Sequence, residues 1–213
     1  MLNEALLLDS TRPVGNLNNL SGCPEHSFLG VPSSCPEESH MQWHVLRVSY
    51  SRELKIKAIL DQRGIRTFVP MIWRKSETDG KTRRKLVPAV SNLCFVYWTR
   101  PSIDEFIRGY GDASPVHYYW DRTASRPMTV PEKAMEDFIT VASSMDEDLV
   151  YLTEISPKLR EGQTVRVRNG SFAGVTGRIV RIRKSRRIMV ELPGMLAVAS
   201  TYVRPEDVEI ITD

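Results

Sequence analysis

Four side chains near the amino end carry the right chemistry for a metal. Cys23, His26, Cys35 and His40 are spaced C-x2-H-x8-C-x4-H, and four nitrogen and sulfur ligands suit tetrahedral zinc. The spacing is not one of the usual finger types, however, and only Phe28, Leu29 and Val31 lie between as a core, so no metal and no other cofactor is expected. A second group is cationic: Arg74, Lys75, Lys81, Arg83, Arg84 and Lys85 fall within a short stretch that also holds Glu77 and Asp79. Side chains of this kind neutralise phosphates and release counterions, and Trp73 beside them can stack on a base. A solvated hairpin is the simpler reading of the same run. A third group, Arg178, Arg181, Arg183, Lys184, Arg186 and Arg187, sets RNA contact against plain solubility.

Catalytic chemistry finds little to stand on. There is no phosphate-cradling glycine loop with its lysine, no G-x-S-x-G elbow, and no carboxylate cluster on a loop. His44 and His117 read as structural, and Cys94 sits in an apolar strand. Cys23, Cys35 and Cys94 are an odd count without a C-x-x-C pair, which argues against a disulfide framework or redox motif. The chain is expected not to be an enzyme.

Lys and Arg number 29 against 26 Asp and Glu, a net charge of only +3, so any affinity for nucleic acid must come from local clusters. The early leucine run carries Glu4 and Asp9 before the first basic residue, Arg12, the wrong charge order for a secretory signal. No stretch approaches the roughly 20 apolar residues of a membrane helix. A cytoplasmic protein without membrane contact is expected.

These residues must be positioned by folded elements, and the 213 residues suffice for one or two modest cores. Residues 1–40 are rich in Ser, Asn, Pro and Gly and read as a disordered extension. In residues 41–142, Gln42–Val48 reads as a strand. Ser51 is placed to cap a helix over Arg52–Arg63, ended by Gly64. Ile65–Val69 is β-branched and aromatic, and after a polar excursion centred on Gly80 comes a strong strand within Leu86–Trp98. Ser102–Tyr110 suggests a short helix, Val116–Trp120 a strand, and Pro131 opens a helix with the stripe Ala134, Met135, Phe138, Ile139 and Ala142. The order specifies an α+β sandwich, antiparallel sheet against helices. Residues 143–161 read as a linker. From 162 to 213 five short strands, Thr164–Arg168, Val175–Arg183, Arg187–Leu192, Met195–Ser200 and Val208–Ile211, fit a small SH3-like barrel.

Glu161–Ile182, EGQTVRVRNGSFAGVTGRIVRI, resembles the KOW motif that ends NusG proteins. Val165 and Val167 share one side of a strand, Gly170, Gly174 and Gly177 permit the tight loop that returns the chain, and Phe172 sits at its tip. WHVLRV (Trp43–Val48), the following helix, GIRTFVP (Gly64–Pro70) and SNLCFV (Ser91–Val96) resemble the amino-terminal NGN domain of the same family. The likeness spans nearly all of residues 42–212 in the family's order. LPGMLAVAS, Leu192–Ser200, is similar to the specialised antiterminators of the UpxY kind, so an UpxY-like or RfaH-like paralogue serving particular operons is expected.

The resemblance implies an NGN-type sandwich followed by a five-stranded KOW barrel, and a transcription elongation or antitermination factor that binds RNA polymerase. In Leu93–Trp98, Leu93, Phe95 and Tyr97 share one face while Cys94, Val96 and Trp98 share the other. One face can line the core and the second needs a cover. Burial under the domain's own helices would supply it, whereas in NusG relatives the residues matching Leu93 and Phe95 grip a coiled-coil element of the polymerase. Met135 and Phe138 could extend that patch. If about 600 Å² of it were covered, the gain would be about 15 kcal/mol before association costs. The cluster Arg74, Lys75, Lys81, Arg83 and Arg84 is then expected to touch DNA near the transcription fork. The resemblance puts docking of Rho or a small-subunit ribosomal protein at Phe172, with nascent RNA a further partner of the barrel. The Phe-Pro-Gly of housekeeping NusG is replaced here by Ala89-Val90-Ser91 and Asn92, and Thr99–Ser102 lacks the His-Thr-Thr-Thr of RfaH. KOW modules also occur in ribosomal proteins, so an RNA-binding or ribosome-associated protein is the alternative.

Overall fold

The computed structural model describes residues 40–78, 81–154, 162–182 and 184–211. The expected extension lies outside them except for His40, which is exposed, and so do the candidate ligands Cys23, His26 and Cys35.

Strand β1 (Gln42–Val48) is apolar on both faces and takes the middle of a sheet. After it come α1 (Glu53–Gln62), β2 (Thr67–Phe68), the hairpin β3 (Met71–Thr78) and β4 (Lys81–Pro88), and β5 (Leu93–Trp98). Then follow α2 (Arg100–Arg108), β6 (Val116–Tyr118), the small hairpin β7 (Trp120–Asp121) and β8 (Arg126–Pro127), β9 (Thr129–Val130) and α3 (Glu132–Ala142). The first sheet runs β2-β5-β1-β6, with β9 also pairing β1, and every pairing is antiparallel. Its register sets Val45 opposite Phe95 and Leu46 opposite Cys94, so alternation sorts the side chains as expected. Leu46, Val48, Cys94 and Val96 pack with Ile56 and Leu60 of α1 and Ile103 and Phe106 of α2.

Two local expectations differ from the structure. Ser51 does not cap α1: its own φ is +52° and no side chain caps the helix. The buried Glu53 in the first turn instead accepts the backbone N–H of Asn92; a carboxylate there also suits the helix dipole. The polar excursion is an extended hairpin, which claims Leu86–Pro88, so the apolar run 86–98 is divided at a turn through Asn92, whose φ is +64°.

The second sheet contains β10 (Val150–Leu152), β11 (Thr164–Val167), β12 (Thr176–Ile182), β13 (Ser185–Leu192), β14 (Leu196–Tyr202) and β15 (Val208–Ile210), in the order β10-β14-β13-β12-β11-β15. All five expected strands are present. A sixth, β10, comes from within the segment read as a linker and pairs with β14. Among the described residues no pairing joins β10 to β15, so the strands form an open path.

The loop glycines of the motif divide into two roles. Gly170 and Gly174 sit at φ +87°, where a side chain is strained. Gly177 is needed for space: a Cβ there would lie 2.6 Å from Ile188 Cγ2 and 2.7 Å from the Met189 carbonyl oxygen. Backbone cannot yield as a side-chain tip can, so Gly177→Ala is expected to cost about 1–3 kcal/mol, read as a lower urea midpoint at an unchanged slope.

Candidate functional site

The face of the first sheet that carries Trp43, Val45, Leu93 and Phe95 belongs to one continuous apolar cluster with Met135, Phe138 and Val141 of α3, and with Val165, Ile188, Val190, Leu192, Leu196 and Val198 of the second sheet. Leu93 is 3% exposed and Phe95, Met135 and Phe138 are 0% exposed. Tyr97 is half-buried, its ring 5.4 Å from that of Trp43 and 4.8 Å beneath the Arg66 guanidinium. The expected patch thus assembles as one surface, but the cover is neither solvent nor the first domain's helices alone. Helix α3 packs against β1 and against β13 and β14, and Leu93 lines a groove with Met195 and Leu196.

Two polar contacts tie the second sheet and its loop to the hairpin and to α3. The Tyr151 hydroxyl of β10 donates to the Met71 carbonyl at the base of the hairpin, at 3.2 Å, and its ring lies 6.4 Å from that of Phe138. Lys133 of α3 bridges Asp137 at 2.5 Å and donates to the Gly174 carbonyl at 3.2 Å. Asp137 is buried, so its charge requires that partner. Arg187, expected in a basic face of the second sheet, is buried and donates to the carbonyls of Asp148 and Ser200; its work is structural. Sequence reasoning missed Tyr151 and Arg187. The one local signal for the first was Val150-Tyr151-Leu152, a strand-forming triplet in an acidic stretch.

In the basic hairpin the register places Arg74 opposite Lys85 and Lys75 opposite Arg84. Facing residues project to the same side, so each face carries a like-charge pair, an arrangement unfavourable on its own. Arg74, Lys75, Arg83, Arg84 and Lys85 are exposed, and Trp73 is 41% exposed on the Lys75–Arg84 face. Glu147 bonds Arg84. Lys81 opens β4 opposite Thr78. Phe172 is half-buried, packed against the large apolar cluster in the loop between β11 and β12. Cys94 is buried beneath the helices, and burial pushes its thiol up to about 12, which removes nucleophilic character at neutral pH. Among the described residues no three His, Cys, Asp or Glu side chains gather as a metal site, and no helix is long and apolar enough to cross a membrane.

A comparison with curated proteins finds no match. Among solved structures the chain is similar to one described as "Domain interaction in Thermotoga maritima NusG", at 17% identity and a TM-score of 0.43, covering 81% of this chain and 98% of that one. Residues 41–139 match the family described as "Transcription termination factor nusG", the stretch that holds the first sheet, its three helices and the basic hairpin. Residues 41–139 therefore form a domain of the NusG family.

Proposed function

We propose that this protein is a specialised antitermination factor that grips RNA polymerase with Leu93, Phe95 and Tyr97, flanked by Met135 and Phe138, once the second sheet has lifted away. NusG-family factors bind RNA polymerase. The observation that supports this reading is the continuity of one apolar cluster across both sheets: a face this apolar must be covered, and here the second sheet supplies part of the cover that a partner would replace. The basic hairpin then meets DNA near the fork, where phosphates relieve the repulsion between Arg74 and Lys85 and between Lys75 and Arg84. A contact of about three phosphates gives a salt slope near −2.7. The released second sheet offers the Phe172 loop to nascent RNA, Rho or a small-subunit ribosomal protein.

The test is retention on immobilised core RNA polymerase. Apparent affinity scales with the fraction of molecules that are open, and Tyr151→Ala removes one ring contact and one hydrogen bond that hold the closed form. These are worth about 2 kcal/mol together, so apparent affinity should rise about thirtyfold. Leu93→Ala should lower it. Retention unchanged in both folded variants would remove the proposed interface.

A further inference from the structure

The geometry points to a second nucleic-acid site, a stacking platform for single-stranded RNA or DNA built on Tyr119 and Trp120, distinct from the β3–β4 hairpin. Tyr119, between β6 and β7, is 42% exposed and Trp120, at the start of β7, is 54% exposed. Both line the same open groove of about 870 Å³, together with Arg47 and Arg122, and Pro193 and Gly194 of the second sheet form its opposite wall.

The platform is held rigidly. The Tyr119 N–H donates to the Val45 carbonyl at 2.9 Å, and the Tyr119 carbonyl accepts the Met128 N–H at 2.7 Å, so the Tyr119 backbone is tied to the central strand and to Met128. At the hairpin tip Asp121 Oδ1 accepts the N–H groups of Thr123 and Ala124, at 2.8 and 3.1 Å. The one acid of this hairpin thereby closes a turn while keeping its charge at the groove, and Arg47, Arg122 and Arg126 around it are all exposed.

Two exposed rings beside the guanidinium groups of Arg47 and Arg122 in one groove fit a ligand with flat π faces joined by anions. Base stacking on aromatics and phosphate neutralisation by arginine are the two terms of single-strand binding, and neither reads sequence. A duplex keeps its base faces stacked and can use only the charges. A protein partner would gain from the rings but has no need of an arginine on either side of them, so the charge favours nucleic acid.

The test measures anisotropy of fluorescein-labelled rU15, dT15 and a 15-base-pair duplex with the full chain. Trp120→Ala and Tyr119→Ala should each weaken single-strand binding from about fivefold upward while leaving duplex binding unchanged, and Trp120→Phe should restore it. Arg122→Ala should lower the magnitude of the single-strand salt slope by about 0.7. The hairpin variant Arg83→Ala/Arg84→Ala should do the reverse, weakening duplex binding and sparing the aromatic contribution. Stronger binding of rU15 than dT15, lost with Trp120, identifies RNA as the ligand, and the opposite order identifies DNA. Equal single-strand affinity for wild type and both folded alanine variants overturns the site, even if those variants lose polymerase, since the surface then docks protein.

Discussion

Phe138→Ala should lower the free energy of unfolding by about 3–5 kcal/mol, the ordinary cost of truncating a buried phenylalanine, and the upper part of that range is expected. Phe138 is fully buried, and its ring meets three others: Phe68 of β2 at 6.2 Å, Phe95 of β5 at 6.0 Å and Tyr151 of β10 at 6.4 Å. Two of these belong to the first sheet and one to the second. A cavity here cannot be filled by the shift of one side chain, because its walls stand on separate sheets whose own hydrogen bonds fix them. Cost depends on how far a site can collapse. The measurement is urea unfolding followed by far-UV circular dichroism and by tryptophan fluorescence. Phe138→Leu, which keeps most of the volume, should recover more than half of the loss. A cost under about 1 kcal/mol would show that α3 is not wedged between the sheets as described.

The same residue shows how far the sequence alone could reach. Met135 and Phe138 fall on one stripe by helical spacing, and Leu93 and Phe95 on one face by strand alternation; the structure keeps both assignments. Periodicity tells which side of an element is apolar and is silent on what lies against it. The cover comes from strands about 100 positions away along the chain, a distance over which no local pattern operates. Residues 150–152 escaped because three residues are too few for alternation to register. Arg187 was read as part of a charge run, and only the Asp148 and Ser200 carbonyls aimed at it reveal a buried cation. Ser51 failed as a cap because the tie between Glu53 and Asn92 sets how α1 begins, again a long-range partner overriding a local preference.

Acidification should remove about 3 kcal/mol of stability through one residue, His44. It is fully buried on the face of β1 opposite to Val45, its ring edge-on to Tyr118 at 6.1 Å, and neither ring nitrogen has a hydrogen-bond partner of good geometry. Burial is the main cause that holds its pKa down to about 4 from 6.5. The Arg100 guanidinium acts in the same direction, while Asp104 and the Trp98 backbone pull weakly the other way. The folded protein therefore keeps His44 neutral at pH values where the unfolded chain binds a proton. Above pH 6.5 neither state is protonated there and the stability is intact. Between 6.5 and about 4 the unfolded state takes up the proton first, so stability falls, and below 4 the full difference is gone. At about 1.4 kcal/mol per pKa unit, a gap of this size is worth about 3 kcal/mol. His44→Leu replaces unpartnered polar nitrogens with an apolar group of similar size, so it should be at least as stable as wild type at pH 7. It should also lose most of the extra slope between pH 6.5 and 4.5, as read by urea midpoints across that range. Parallel pH profiles for wild type and His44→Leu would mean that another group carries the acid sensitivity.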